Sequence, residues 1–321
     1  MTSAVAGNGV VTFALTSARG GGIRAASRET GANAPRLVVT TTSTPQPPPG
    51  PLRGPAAVLV AAGDVAYGGP GDDQTAALLD TIDPTVIATL GDNAYDSGTA
   101  EEFASWYAPT WGRHKAKTRP SPGNHEYKTP GASGYFDYFG AAAGERGKGF
   151  YSYDVGAWHL IALNTNGPDA CETISCSPAS EQERWLRADL ASTRKSCVLA
   201  YFHHPRFSTG PHGDHPGVAP LWQALYDHGA EVVLQGHDHN YQRWAPMTPS
   251  GEMDAARGIR SFVVGTGGKN LYPVGARTGL EAKQEDTLGV LKLTLGDGAY
   301  GWEFVPVAGG TYADSGTGSC R

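Results

Sequence analysis

Four glycine-led pairs stand out along this chain: Gly63-Asp64, Gly91-Asp92, Gly123-Asn124 and Gly236-His237. A single Gly-Asp pair is ordinary turn chemistry. Repeated in this way it constrains topology, because Asp64, Asp92 and the segment from Gly236 to His239 each follow an apolar run of strand length, as His203 does without a glycine, and Asn124 follows a loop opened by Pro120 and Pro122. Side chains that leave strand ends together line the crevice at the carboxyl edge of an α/β sheet. A glycine ahead of each lets the backbone turn sharply and approach what the side chain holds.

The rest of the chain fits that topology. Apolar runs at 56–62, 86–90, 158–163, 198–202, 231–234 and 262–264 read as strands, and segments 74–79, 102–107, 182–190 and 221–226 read as helices. Their alternation predicts α/β architecture. Segments 150–154, 288–295 and 300–305 read as antiparallel strands, the last two with no helix between them, so the expectation is two sheets face to face with helices outside. Upstream, 1–40 has only short strand patterns and too little core to be stable alone. Residues 41–55 have the Pro/Thr-rich composition of an extended linker. The expected organisation is a β fragment at 1–40, a linker at 41–55, a catalytic domain at 56–308 and a C-terminal tail at 309–321.

Composition removes other classes. A net charge of -6, from 25 basic and 31 acidic residues, leaves no basic stripe for nucleic acid and no polybasic patch for anionic lipid. No run approaches the roughly 18 apolar residues that span a bilayer, and the chain as given starts without an export signal. Cys171, Cys176, Cys197 and Cys320 are too scattered for a Cys-rich zinc framework. They fit two disulfides, Cys171 with Cys176 and Cys197 with Cys320, or four free thiols in a reducing compartment.

Seven residues stand out as candidate metal ligands: Asp64, Asp92, Tyr95, Asn124, His203, His237 and His239. Carboxylate, phenolate and imidazole suit iron, manganese or zinc, whereas calcium asks for an all-oxygen cage. His237 and His239 stand two apart, which on extended backbone sends both rings to one side; the blander reading is a pair of satisfied core histidines.

The blocks Gly63-Asp64, Gly91-Asp92-Asn93-Ala94-Tyr95, Gly123-Asn124-His125-Glu126, His203-His204-Pro205 and Gly236-His237-Asp238-His239-Asn240-Tyr241-Gln242-Arg243 resemble those of the calcineurin-like metallophosphoesterases over about 56–306. The wider superfamily has a histidine two residues after the first aspartate, where this chain has Ala66. The purple acid phosphatase branch instead uses a tyrosine three residues after the second aspartate, where this chain has Tyr95. That resemblance implies a four-layer α/β/β/α metallophosphoesterase sandwich. It also implies two metal ions: ferric iron on Asp64, Tyr95 and His239, and a divalent iron, zinc or manganese on Asn124, His203 and His237, with Asp92 bridging. The N-terminal Ser27-Arg28-Glu29 and Pro35-Arg36-Leu37-Val38-Val39 resemble the end of a DNRLRE-type β-sandwich, which implies a chain that begins inside a domain; the alternative is an ordinary N-terminal extension.

The implied reaction is hydrolysis of a small-molecule phosphate monoester, a metal-activated hydroxide attacking phosphorus opposite the leaving alkoxide. His125 matches the family histidine that contacts phosphate or the leaving group, and is the first candidate for general acid. His212 matches the first of two consecutive family histidines at the substrate mouth; the second position is Gly213, and His215 stands two further on, so the loop also reads as plain solvated chain. Glu126, Tyr241 and Arg243 read as supporting or structural residues, and Trp106, Trp111 and Trp244 as pocket walls or core. The alternatives are a phosphodiesterase or nucleotide hydrolase on the same metals, and a non-catalytic phosphate-binding or adhesion module. A secreted or cell-surface location is expected, and the oligomeric state stays open.

Overall fold

The computed structural model describes residues 53–166 and 170–321. The first sheet opens with β1 (Arg53–Ala62), β2 (Val86–Leu90) and β3 (Thr118–Ser121), all parallel, with helix α1 (Pro70–Ile82) crossing from β1 to β2. After the one-turn α2 (Ala100–Glu102) and α3 (Ser133–Phe139), the chain enters the second sheet. There β4 (Tyr151–Val155) pairs with β5 (Trp158–Ala162), and α4 (Glu181–Ser192) leads to β6 (Cys197–Tyr201). Helix α5 (Ala219–Asp227) leads to β7 (Val232–Gln235), followed by β8 (Tyr241–Met247), β9 (Ile259–Val264) and β10 (Leu280–Gln284). The chain returns to the first sheet with β11 (Gly289–Asp297), β12 (Ala299–Pro306) and β13 (Ser315–Ser319). Strand orders are β13-β12-β11-β1-β2-β3 and β10-β8-β9-β7-β6-β5-β4.

Period-two alternation builds the layers. In β6, Leu199 and Tyr201 join the core between the sheets, while Val198, Ala200 and Phe202 pack with Leu186 and Leu190 of α4 and Leu221 and Trp222 of α5. Rings meet across the gap, Trp158 with Tyr300 at 5.6 Å and Tyr241 with Phe304 at 4.8 Å. The same cluster takes in Ala76 and Leu79 of α1 and Phe136 and Phe139 of α3. Four layers result, as expected, and strands buried on both faces explain why they read as unbroken apolar runs. Among the described residues no helix is long and apolar enough to cross a membrane.

Departures from the sequence reading have local causes. Pro120 hid β3, which is an edge strand and tolerates a missing N–H. Polar β10 is held by pairing to β8 rather than by propensity. The helix expected at 102–107 is one α turn, closed by a Thr99/Glu102 capping box, and then a π turn over Phe103–Tyr107. The stretch read as a tail supplies edge strand β13; its glycines are required because a Cβ on Gly316 would lie 2.3 Å from the Trp302 ring. β1 begins inside the stretch read as linker, and the remaining N-terminal readings lie outside the described residues. Both disulfides form, Cys171–Cys176 and Cys197–Cys320.

Candidate metal centre

Parallel β1, β2 and β3 bring Asp64, Asp92 and Asn124 to one edge of the first sheet, and β6 and β7 bring His203 and His237 to the corresponding edge of the second. Pairing continues past the strand ends: the N–H groups of Asp64, Val65 and Ala66 donate to the carbonyls of Gly91, Asp92 and Asn93 at 3.1, 2.9 and 3.0 Å. Asp64, Asp92 and His237 adopt φ of 62°, 50° and 71°, a left-handed region that only a fixed surrounding structure sustains. A Cβ on Gly123 would sit 2.2 Å from Asp92 Oδ1, and one on Gly91, at φ 85°, 2.5 Å from His203 Nδ1. These glycines therefore make room for neighbouring donor residues, which is more specific than the clearance for a metal that the sequence suggested.

Two groups of donor atoms result. In the first, Tyr95 Oη lies 2.9 Å from Asp64 Oδ1, 3.1 Å from Asp92 Oδ2 and 3.1 Å from His239 Nε2. In the second, His203 Nε2 lies 3.0 Å from Asn124 Oδ1, 3.2 Å from His237 Nδ1 and 3.3 Å from Asp92 Oδ2. Asp92 Oδ2 belongs to both. His239 Nδ1–H donates to the Asn270 carbonyl at 2.8 Å and His203 Nδ1–H to the Leu90 carbonyl at 2.7 Å, which in neutral rings turns the Nε2 lone pairs toward the cluster. Each group then has more acceptor atoms than protons to share, buried where water cannot compensate. A cation would supply what is missing. Asp64, Asp92 and His203 offer atoms all within 4.8 Å of one another, and the oxygen and nitrogen donors fit iron, manganese or zinc.

Without a cation the protons redistribute. Burial raises Tyr95, and the Asp64 and Asp92 charges raise it further, well above the ordinary phenol. Burial lowers His203, but Asp92 overrides it and lifts the imidazole to about 9. Asp92 ends below the ordinary carboxyl: burial raises it, and the His203 charge more than reverses that. Burial and the adjacent His204 and His203 hold His237 well below the usual imidazole. Metal uptake would displace protons from Tyr95 and His203.

Two acidic side chains organise the donors. Glu126 is fully buried and accepts the N–H groups of Asp92 at 3.0 Å, Asn93 at 2.7 Å, Ala94 at 3.3 Å and Gly123 at 2.7 Å, tying the second and third blocks together. Burial and the Asp92 charge push its carboxyl up to about 7 against those four donors. Asp238, between His237 and His239, accepts the Ser208 hydroxyl and, at 3.1 Å, the His212 N–H, so it fastens the loop that carries His212. Only its place between two histidines marked Asp238 in the sequence.

A family model described as calcineurin-like phosphoesterase matches residues 50–241. The chain belongs to this family. As a calcineurin-like phosphoesterase it is 26% identical over 233 residues to an uncharacterized protein of Mycobacterium tuberculosis, an alignment that takes in 59% of this chain and 43% of that one. It is 24% identical over 199 residues to purple acid phosphatase 15 of Arabidopsis thaliana, covering 50% of this chain and 36% of the relative. The structure of a purple acid phosphatase from yellow lupin (Lupinus luteus) seeds shares the fold with a TM-score of 0.67 at 19% identity, over 83% of this chain and 54% of the other. The chain thus spans less than half the length of these two sequence relatives.

The other candidates surround the donors. His125 Nε2 is 3.8 Å from Asp92 Oδ2, its ring lies edge-on to Tyr95 at 4.4 Å, and its Nδ1–H donates to the Asp96 carbonyl at 2.6 Å. His212 is exposed, with its ring 4.3 Å from that of His237. His215 packs 4.9 Å from both His237 and His204, and His204 lies 4.4 Å from His237. Tyr241 and Arg243 are structural: both bind Asp314. Trp111 and Trp244 are core, and Trp106, 41% exposed, covers Gly68.

Proposed function

We propose that this phosphoesterase hydrolyses phosphate monoesters at a binuclear centre of purple acid phosphatase type. Asp64, Tyr95 and His239 hold one cation, Asn124, His203 and His237 the other, and Asp92 is shared. The observation that carries the reading is Asp92 Oδ2, common to two buried groups in which acceptor atoms outnumber the protons. Tyr95 supports the branch, since a phenolate is a hard donor that favours ferric iron, with divalent iron, zinc or manganese opposite. When bound, such a pair activates water and neutralises phosphoryl oxygens. The chain's part is positional and protic. The Asp96 carbonyl accepts the His125 Nδ1–H and turns Nε2 toward Asp92, where a ring protonated on both nitrogens would hand its Nε2 proton to a leaving-group oxygen. His212, fastened through Asp238, covers the His237 side. Two disulfides support an oxidising, extracellular setting.

Paired assays with 4-nitrophenyl phosphate and bis(4-nitrophenyl) phosphate, run with metal analysis and a visible spectrum, test the reading. Faster monoester turnover and a tyrosinate-to-iron band lost in Tyr95→Phe are expected. A diester rate about tenfold higher, a barrier difference of roughly 1.4 kcal/mol, would move the assignment to phosphodiesterase. Phosphate binding without turnover, in the native protein and in Asp92→Ala alike, would make it a binding module.

A further inference from the structure

Two lysines flank one side of the centre, and neither the fold nor the metal reading accounts for them. The Lys269 N–H donates to the Asp64 carbonyl at 2.9 Å, which fixes its place beside a donor residue, and its Nζ lies 4.6 Å from the centre of the Tyr95 ring and 4.9 Å from that of Tyr67, contacts that leave its full charge in place. Its carboxylate neighbour is Asp96 at 3.4 Å, whose side chain is 75% exposed and so weakly neutralising. Lys128 Nζ lies 3.0 Å from His125 Nδ1, and among the described residues no carboxylate stands within ion-pair distance of it. On the other side the walls are His212 and Tyr272, the latter stacked on His239 at 4.1 Å. Ammonium groups beside a site that collects cations are Coulombically unfavourable unless an anion lies between them. The reacting phosphoryl group serves the donors' own cations, which leaves the lysines for another negative group.

We propose that Lys128 and Lys269 form a subsite for a second anionic group, so that the preferred substrate is a phosphate ester carrying a further phosphate or carboxylate near the scissile group. This rests on the phosphoesterase reading above and narrows its substrate class. The test compares kcat/KM for three esters of one carbon skeleton at low ionic strength: glycerol 2-phosphate, 2-phosphoglycerate and 2,3-bisphosphoglycerate. An anionic second group should raise kcat/KM about tenfold over glycerol 2-phosphate, a preference that salt compresses. A gain with both anionic esters supports a general anion subsite, and a gain with the bisphosphate alone assigns it to phosphate. The ratio should fall toward unity in Lys128→Met/Lys269→Met and persist in Lys269→Arg, which keeps the charge. Equal kcat/KM for all three esters in the native protein, or a preference that survives the double substitution, overturns the subsite and leaves the phosphoesterase intact. Turnover of none of the three, with metal loaded, overturns both.

Discussion

Buried charge is handled in opposite ways at two places that share one sequence block, residues 236–243. At the Asp314 clamp, the carboxylate takes Arg243 Nε at 2.8 Å, its Nη2 at 3.0 Å and the Tyr241 hydroxyl at 2.7 Å, while the guanidinium lies 5.2 Å from the Trp302 ring. Donors and acceptors balance. A few residues earlier, His237 and His239 face Asp64, Asp92, Asn124 and Tyr95, and the acceptors exceed the protons available to them. Burial of charge therefore says little about function on its own. The proton deficit distinguishes a site that needs a ligand from a brace that is already complete.

The strongest way to break that comparison is to remove the shared acceptor. Asp92→Asn should lower kcat/KM by about a thousandfold, the loss of roughly 4 kcal/mol of metal-dependent stabilisation, and reduce metal content in elemental analysis. Full metal content and activity in that variant would show that Asp92 is not shared. Next in size, Glu126→Gln places an amide NH2 against N–H groups that now meet a carboxylate oxygen, so metal affinity or activity should fall by about 10- to 100-fold. The size of this effect tests whether the loops carrying Asp92 and Asn124 are set by Glu126 or by strand pairing alone.

The clamp predicts the reverse pattern. Arg243→Met leaves Asp314, which is largely buried, without its cation and should cost about 3 kcal/mol of stability in urea titrations. Metal content and kcat should stay at their native values, and a matching loss of activity would mean that clamp and centre are coupled through β8.

Much of the centre was legible because its chemistry is written in strand-end blocks, each a short apolar run followed by a donor. Legibility failed where the deciding partner is remote in sequence. Tyr241 and Arg243 share a block with His239, yet strand β8 carries them to Asp314, a partner visible only once β13 is known to pair beside β12. Glu126 could be named as support from its block, but three of its four backbone donors, Asp92, Asn93 and Ala94, belong to another loop that only the fold brings beside it. Strand β3 and helix α3 were missed for local reasons. A proline interrupts the first, and the second, Ser-Gly-Tyr-Phe-Asp-Tyr-Phe, owes its form to packing such as Phe103 on Tyr138 at 5.0 Å rather than to helix propensity.

A third cluster lies between the two extremes and gives the finest test. His159 on β5 has Nδ1 2.8 Å from Asp154 Oδ1 and Nε2 2.8 Å from Asp189 Oδ2, so the ring donates to both carboxylates only when it is protonated on both nitrogens. Burial lowers its pKa, but Asp189 and Asp154 override this and raise it above the ordinary 6.5. A raised folded-state pKa means that the stability gained is full below the unfolded value and is lost as pH climbs through the folded one. His159→Gln should therefore cost about 1.5 kcal/mol near pH 6, with a gap that narrows steadily at higher pH. Unfolding free energies of both proteins across pH 6 to 9 measure that gap. A constant gap would mean that the neutral ring braces the helix as well as the charged one, and the cluster would then behave like the Asp314 clamp. A gap that closes makes it a brace complete only when protonated.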